Sequence, residues 1–95
     1  MENETEVQNQ TELCPLTKVL LHNDDKNEMA YVAEALMIVF TIHGKDAVPI
    51  MLEAHEQGVA LITVIRKEEA ELRKEQMAGF TRYSPVGIVV SLEEA

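Results

Sequence analysis

The stretch KVLLHNDDKNEMAYVAEALMIVF, residues 18–40, joins a strand to a helix across a polar turn. Its first five residues are mostly aliphatic, and the Asn-Asp-Asp that follows them is typical of a turn. Further along, apolar residues recur at the spacing of one helical face. The members of this face are Met29, Val32, Ala33, Leu36 and Phe40. We therefore predict a strand over 18–22 and a helix that is N-capped by Asn27 and ends near Thr41.

The next segment predicts a second helix, from Ala47 to Gln57. Asp46 can cap it, and Gly44 then falls in the loop before it. Pro49 lies in the first turn of such a helix, where a missing N–H costs little. Gly58 suits the residue after the helix, because glycine adopts a left-handed conformation without strain.

The last third of the chain predicts two strands and a helix between them. The β-branched run over 59–65 predicts a buried strand. A charged segment over 67–80 predicts a surface helix, and Val86 to Leu92 predicts a last strand. The element order is thus β-α-α-β-α-β. This order predicts an α+β fold in which a three-stranded, mostly antiparallel sheet packs against three helices.

Residues 1–15 differ in composition from the rest of the chain. They are rich in Glu, Asn, Gln and Thr, which predicts a disordered N-terminal extension ahead of a folded domain over 16–95. The extension lacks the basic and apolar regions of a secretory signal, and no apolar run reaches the ~18 residues of a membrane span. Cys14 is the single cysteine, which excludes an internal disulfide and fits a reducing compartment such as the cytoplasm.

The charge balance restricts the class of partner. The formal net charge is -9, and the chain has no cluster of Lys or Arg. Binding to nucleic acid or to an anionic membrane needs basic groups that replace counterions, so we expect neither partner. An acidic protein favours cationic partners, of which a free N-terminal amine is one.

The densest polar group in the sequence is His22-Asn23-Asp24-Asp25. Carboxylates and an amide carbonyl are hydrogen-bond acceptors, and an ammonium group presents three donors to them. The alternative interpretation is a capped, solvated turn. His55 lies one helical turn after Met51 on the same predicted face, where it could equally be a structural histidine bonded to a carbonyl.

The sequence offers no pattern for a metal, a cofactor or catalysis. Its three histidines lack the i, i+4 spacing of a zinc-binding helix, so we expect no metal. The four glycines are scattered and form no phosphate-binding loop. A small enzyme remains a weak alternative, because no nucleophile, base and orienting group converge in the sequence.

Four segments together resemble the ClpS family. They are residues 18–25, residues 29–32, residues 50–55, and Gly58-Val59. The family pattern is a strand ending in Asn-Asp-Asp, a Met four residues later, and a Met-Leu-x-x-His ahead of a Gly-Val. The resemblance extends over residues 16–95, including the C-terminal Leu-Glu-Glu-Ala.

The resemblance implies an adaptor and not an enzyme. Proteins of this family bind the first residue of a substrate, chiefly Leu, Phe, Tyr or Trp, and deliver the substrate to a Clp AAA+ unfoldase of the ClpA or ClpC type for degradation by ClpP. In the family the N-terminal extension engages the unfoldase. We expect a monomer in the cytoplasm, or in the plastid stroma if the source is a plant or alga.

The resemblance also assigns site residues. It implies that Asn23, Asp25 and His55 hold the free α-amine and the first peptide group, with Asp24 in a supporting role. It implies a hydrophobic pocket lined by Leu21, Met29, Val32 and Met51. Met29 matches the family's gatekeeper methionine, which disfavours β-branched first residues.

Several positions depart from the family pattern. Lys26 stands where the family often has an aromatic residue, and Asn27-Glu28 stand where it often has Thr-Pro. Gly44 and Pro49 interrupt a segment that is usually helical earlier, so we expect the second helix to start late. These departures motivate a second hypothesis, a regulatory module that binds the unfoldase but has lost recognition of N-terminal residues.

Overall fold

The structure is a computed structural model, and it describes residues 15–95. The elements follow the predicted order β-α-α-β-α-β, and the α+β fold is confirmed. They are β1 (Leu16–His22), α1 (Met29–Phe40), α2 (Gly44–Gln57), β2 (Val59–Arg66), α3 (Lys67–Ala78) and β3 (Val90–Glu94). The predicted extension over 1–15 lies outside the described residues except for Pro15.

The sheet is built around β1, which pairs antiparallel with both other strands in the order β2-β1-β3. Side chains alternate along β1, so that Thr17, Val19 and Leu21 are buried and their neighbours are more exposed. Leu21 lies opposite Ala60 on β2 and Val90 on β3. These three buried residues close the inner face of the sheet at the end where β1 leads into the polar turn.

The helices cover that inner face with an aliphatic core. Large side chains with almost no exposed surface come from the sheet, from α1 and α3, and from the segment before β3; they include Val19, Leu21, Leu36, Met77 and Ile88. Burying one such side chain stabilises a fold by about 1.5–3 kcal/mol. The core therefore holds the end of β1 and the start of α1 in fixed relative positions.

The second helix starts earlier than predicted. It begins at Gly44, three residues before the predicted Ala47, and its N-cap is His43 and not Asp46. Asp46 lies in the first turn, where a carboxylate interacts favourably with the helix dipole. Pro49 therefore lies in the second turn of the helix and not in the first. Ala47 is fully buried in the core. The stability gained from this packing outweighs the weak helix propensity of Gly44 at the start of the helix.

The predicted N-cap of the first helix was also wrong. Glu28 occupies the N-cap position, and the Asn27 side chain is instead buried against the polar turn. The predicted end of this helix near Thr41 is confirmed. Thr41 is the C-cap residue and adopts a left-handed conformation with φ 55°.

Two strand predictions and one helix boundary need correction. The second strand is not buried: β2 lies at the edge of the sheet, and Val59, Leu61 and Val64 are exposed on its outer face. The third helix ends at Ala78, two residues before the predicted end. The last strand begins at Val90, four residues later than predicted. Earlier residues of the segment 79–89 bond to α1 and α3 instead, through Phe80 and Ile88, and Val89 then accepts from His22 on β1.

No helix in residues 15–95 combines the length and the apolar composition that crossing a membrane requires.

Candidate functional site

A small pocket lies where β1 ends and α1 begins, against the C-terminal half of α2. Its lining residues are Leu21, His22, Asn23, Asp24, Met29, Val32, Met51, Ala54 and His55. The structure thus brings together all the predicted site residues except Asp25. His22 belonged to the predicted polar group but had no assigned role, and the sequence reasoning missed Ala54. Ala54 could have been found from its spacing, because it lies three residues after Met51 on the same helical face.

The inner wall of the pocket is apolar. Leu21, Val32 and Ala54 are almost completely buried, and Met51 is nearly so. Met29 differs from them, because 44% of its surface is exposed. The free volume of the pocket is only about 10 Å³, roughly the room that one water molecule needs. A side chain that enters this pocket must therefore displace part of the lining, and Met29 is the most exposed and the most flexible part.

The outer rim of the pocket is polar and is positioned by the backbone. The Asn23 N–H donates to the carbonyl of Gly58 at 2.9 Å, which ties the end of β1 to the start of β2. The Asn23 side chain donates from Nδ2 to Oδ1 of Asp25 at 3.2 Å. This bond fixes which end of the amide is the donor, so that Oδ1 is left as an acceptor. Asn23 therefore brings an acceptor to the set of residues that line the pocket.

Asp24 organises the turn that follows. Its Oδ1 accepts from the backbone N–H groups of Lys26 and Asn27, both at 2.8 Å. Its Oδ2 accepts from Nδ2 of Asn27, also at 2.8 Å. Side-chain bonds of this kind are what makes Asp a turn residue. The predicted solvated turn and the predicted acceptor site are thus the same group of residues.

Asp25 lies beside the pocket and not in its wall. It is exposed, and it borders a neighbouring shallow cleft with Val86 and Val89. Its link to the pocket is the hydrogen bond that it accepts from Asn23. Asp25 therefore acts on the pocket through the orientation of Asn23 and through its negative charge.

The two histidines of the pocket have different surroundings. The ring nitrogen Nε2 of His22 lies 2.6 Å from Oγ of Ser91 on β3. The backbone N–H of His22 donates to the carbonyl of Val89 at 3.3 Å. These contacts join β1 to the segment that enters β3. His55 is exposed on α2, one turn after Met51. Its ring is thus accessible to a group that binds at the rim.

The described residues offer no site for a metal. No group of three or more His, Cys, Asp or Glu side chains within 15–95 is arranged to hold one. A larger cleft of about 540 Å³ lies on a different face of α1, between Tyr31 and Tyr83. Two of its lining residues contact Arg82, which forms an ion pair with Glu34 at 3.7 Å and lies over the Tyr83 ring.

Comparison with known proteins gives a consistent result. Residues 13–91 match the model of the family described as ATP-dependent Clp protease adaptor protein ClpS. A ClpS adapter protein of Methylococcus capsulatus is 33% identical over 90 residues, which cover 95% of this chain and 85% of that protein. A ClpS adapter protein of Shewanella loihica is 36% identical over 88 residues, which cover 90% of this chain and 86% of that protein.

Two further similarities concern a plastid protein and a solved structure. The chloroplastic Clp protease adapter CLPS1 of Chlamydomonas reinhardtii is 48% identical over 58 residues, which cover 60% of this chain and 36% of that protein. The structure of Agrobacterium tumefaciens ClpS2 bound to L-phenylalaninamide superposes with a TM-score of 0.79 at 25% identity. That superposition covers 85% of this chain and 98% of the other.

Proposed function

The chain belongs to the ClpS family of Clp protease adaptors, and we propose that it binds proteins through a large hydrophobic N-terminal residue and delivers them to a Clp AAA+ unfoldase. The observation that carries this proposal is the pocket itself, in which a rim of hydrogen-bond acceptors surrounds an apolar wall. L-phenylalaninamide, the ligand of the similar ClpS2, combines a free amine with an apolar side chain. The pocket offers a matching contact to each part.

The rim residues receive the α-amine of the substrate. An ammonium group has three donors, and Asn23, Asp24 and His55, whose side chains carry acceptors, line the same pocket. Asp25 supports them by orienting Asn23 and by adding negative charge. Hydrogen bonds to a charged group contribute about 1.5–3 kcal/mol each. An acetylated N-terminus has neither the charge nor the donors, so its binding leaves these acceptors unpaired.

The apolar wall receives the first side chain. Leu21, Val32 and Met51 surround it, and Met29 acts as the gatekeeper that moves aside. Leu, Phe, Tyr and Trp are the residues that we expect to bind. A β-branched residue such as Ile places its extra methyl group at the mouth of the pocket, against Met29, and is expected to be disfavoured.

The protein acts in this proposal as a monomeric adaptor without catalytic activity. Its partners are the substrate and an unfoldase of the ClpA or ClpC type, which passes the substrate to ClpP. Nucleic acid, membranes and cofactors have no part. The site of action is the cytoplasm, or the plastid stroma if the source is a plant or alga.

One observation favours a second candidate function. The pocket has room for little more than one water molecule, and Asn27-Glu28 precede Met29 where the family often has Thr-Pro. A pocket this small is what we expect of a regulatory module that binds the unfoldase but no longer selects N-terminal residues. This module would bind the unfoldase and ignore peptides.

Fluorescence anisotropy separates the two functions. Labelled peptides that differ only in their first residue, Leu, Phe or Ile, are titrated with the protein, each in a free and an N-acetylated form. The adaptor binds the free Leu and Phe peptides, loses both on acetylation, and binds the Ile peptide more weakly. A folded protein that binds none of the peptides contradicts the adaptor function and supports the regulatory module.

A further inference from the structure

We propose that Asn27 is a positioning residue for recognition of the substrate amine, because it holds the Asp24 carboxylate in place and ties the segment 79–89 to the site. The inference rests on the proposed adaptor function and extends it to a residue outside the pocket. Asn27 is 8% exposed and stands at a position where this chain departs from the family pattern.

The Asn27 amide connects two parts of the fold. Its Nδ2 donates to Oδ2 of Asp24 at 2.8 Å and to the carbonyl of Val86 at 3.2 Å. Val86 is 59 residues away in sequence and borders the shallow cleft beside Asp25. Asn27 thus links the carboxylate in the pocket wall to the segment that enters β3.

The orientation of this amide is determined by its partners. Both groups that face Nδ2 are acceptors, so a reversed amide would place an oxygen against two oxygens. In the orientation found, Oδ1 is buried and has no hydrogen-bond partner among residues 15–95. A buried acceptor without a partner is unfavourable for folding, and an apolar residue of similar volume would avoid that cost. The benefit of Asn27 therefore lies in what Nδ2 does for Asp24 and Val86.

Asp24 needs this support because its carboxylate serves two purposes. Oδ1 already accepts two backbone N–H groups of the turn. The bond from Asn27 to Oδ2 fixes the rotation of the carboxylate, so that this residue of the pocket lining is held in one orientation. A preorganised acceptor binds an ammonium group more tightly than one that must first be ordered.

The test compares two substitutions of Asn27 with a matched control. Asn27→Leu keeps the number and branching of the side-chain heavy atoms and removes the Nδ2 donor, whereas Asn27→Thr keeps one hydroxyl donor for Asp24. Tyr31→Phe is the control, because the Tyr31 hydroxyl donates to the carbonyl of Phe80 at 2.9 Å and so ties the same segment to α1 without contacting Asp24. Thermal unfolding verifies that each variant is folded at the temperature of the binding assay.

The expected result is a loss of affinity for the free Leu peptide of about tenfold in Asn27→Leu, and recovery of most of it in Asn27→Thr. Tyr31→Phe should lower the unfolding midpoint and leave the affinity within about twofold. A purely structural role for Asn27 would instead make Asn27→Leu behave like Tyr31→Phe, and that outcome would overturn the proposal.

A double-mutant cycle tests the route through Asp24. Asp24→Asn keeps Oδ1 for the backbone N–H groups and replaces Oδ2 with a group that cannot accept from Asn27. In the Asp24→Asn background, Asn27→Leu should reduce affinity by no more than about twofold; a further tenfold loss would refute the route.

Wild-type protein that binds no free peptide refutes the adaptor function and the role of Asn27 together. Wild-type binding that Asn27→Leu leaves unchanged refutes the role of Asn27 alone.

Discussion

Replacing Gly87 with alanine should destabilise this domain strongly, because the added methyl group has no room. A Cβ built on Gly87 would lie 2.0 Å from the carbonyl oxygen of Ala78 and 2.8 Å from its carbonyl carbon. Both atoms belong to the backbone at the end of α3, so no side chain can rotate out of the way. Either the segment 79–89 or the end of α3 must move.

The contacts around Gly87 set the magnitude. The next residue, Ile88, donates its N–H to the carbonyl of Met77 at 3.2 Å, and its side chain is 1% exposed in the core. Overpacking a well-packed site costs about 1–3 kcal/mol and occasionally more. Because the obstacle is backbone, we expect about 3 kcal/mol. In a domain of this size 1 kcal/mol shifts the unfolding midpoint by about 4–8 °C, so the expected decrease is about 12–24 °C.

Gly79→Ala provides the matched control on the same connecting segment. At Gly79 the nearest atom to a new Cβ is the Glu75 carbonyl oxygen at 3.4 Å, and φ is -90°, which any residue adopts. This substitution should leave stability unchanged or raise it by up to about 1 kcal/mol, since alanine restricts the unfolded chain. Urea and thermal unfolding followed by circular dichroism measure both variants. A Gly87→Ala protein as stable as Gly79→Ala would refute the close approach of the two segments.

Two further predictions concern the pocket. Asp25→Ala and His55→Ala should each weaken binding of a free Leu peptide by about tenfold or more. Asp25→Ala removes a negative charge and the bond that orients Asn23, and His55→Ala removes an acceptor for the amine. The free energy of unfolding should change by no more than about 0.5 kcal/mol, because both side chains are exposed. Peptide titrations and urea unfolding measure the two effects, and wild-type affinity in both variants would show that the rim is assigned to the wrong residues. Met29→Ala should raise the affinity for an Ile peptide relative to a Leu peptide, because it removes the side chain that closes the pocket. An unchanged Ile-to-Leu affinity ratio would contradict the gatekeeper role.

The element order and the general position of the site could be predicted from local patterns. Buried and more exposed residues alternate along β1, and this period of two residues indicates a strand. Apolar residues from Met29 to Phe40 recur about once per helical turn, and this period indicates a helix. The polar residues 23–25 fall between the two repeats, so they had to lie where a strand ends and a helix begins. The spacing of Met51 and His55 placed both residues on one face of the second helix.

Boundaries that depend on distant contacts could not be predicted in this way. The helix that contains Ala47 extends back to Gly44, although glycine and Pro49 argue against it locally. The β-branched residues before Val90 resemble a strand, but Val86 bonds to Asn27 and Ile88 bonds to Met77, so that bonding to β1 begins only at Val89. In both cases tertiary packing outweighs local preference, since propensity differences are at most about 1 kcal/mol per residue.

The sequence by itself determined which chemical groups this protein has at the end of its first strand: acceptors suited to an amine, next to an apolar helical face. Only the tertiary structure decided where each of these groups lies. Asp24 lines the pocket, Asp25 lies beside it, and Asn27 is buried and bonds to a carbonyl 59 residues away. The physical reason is that composition and spacing are properties of a local segment. The direction of a side chain depends on partners that the folded chain brings from elsewhere.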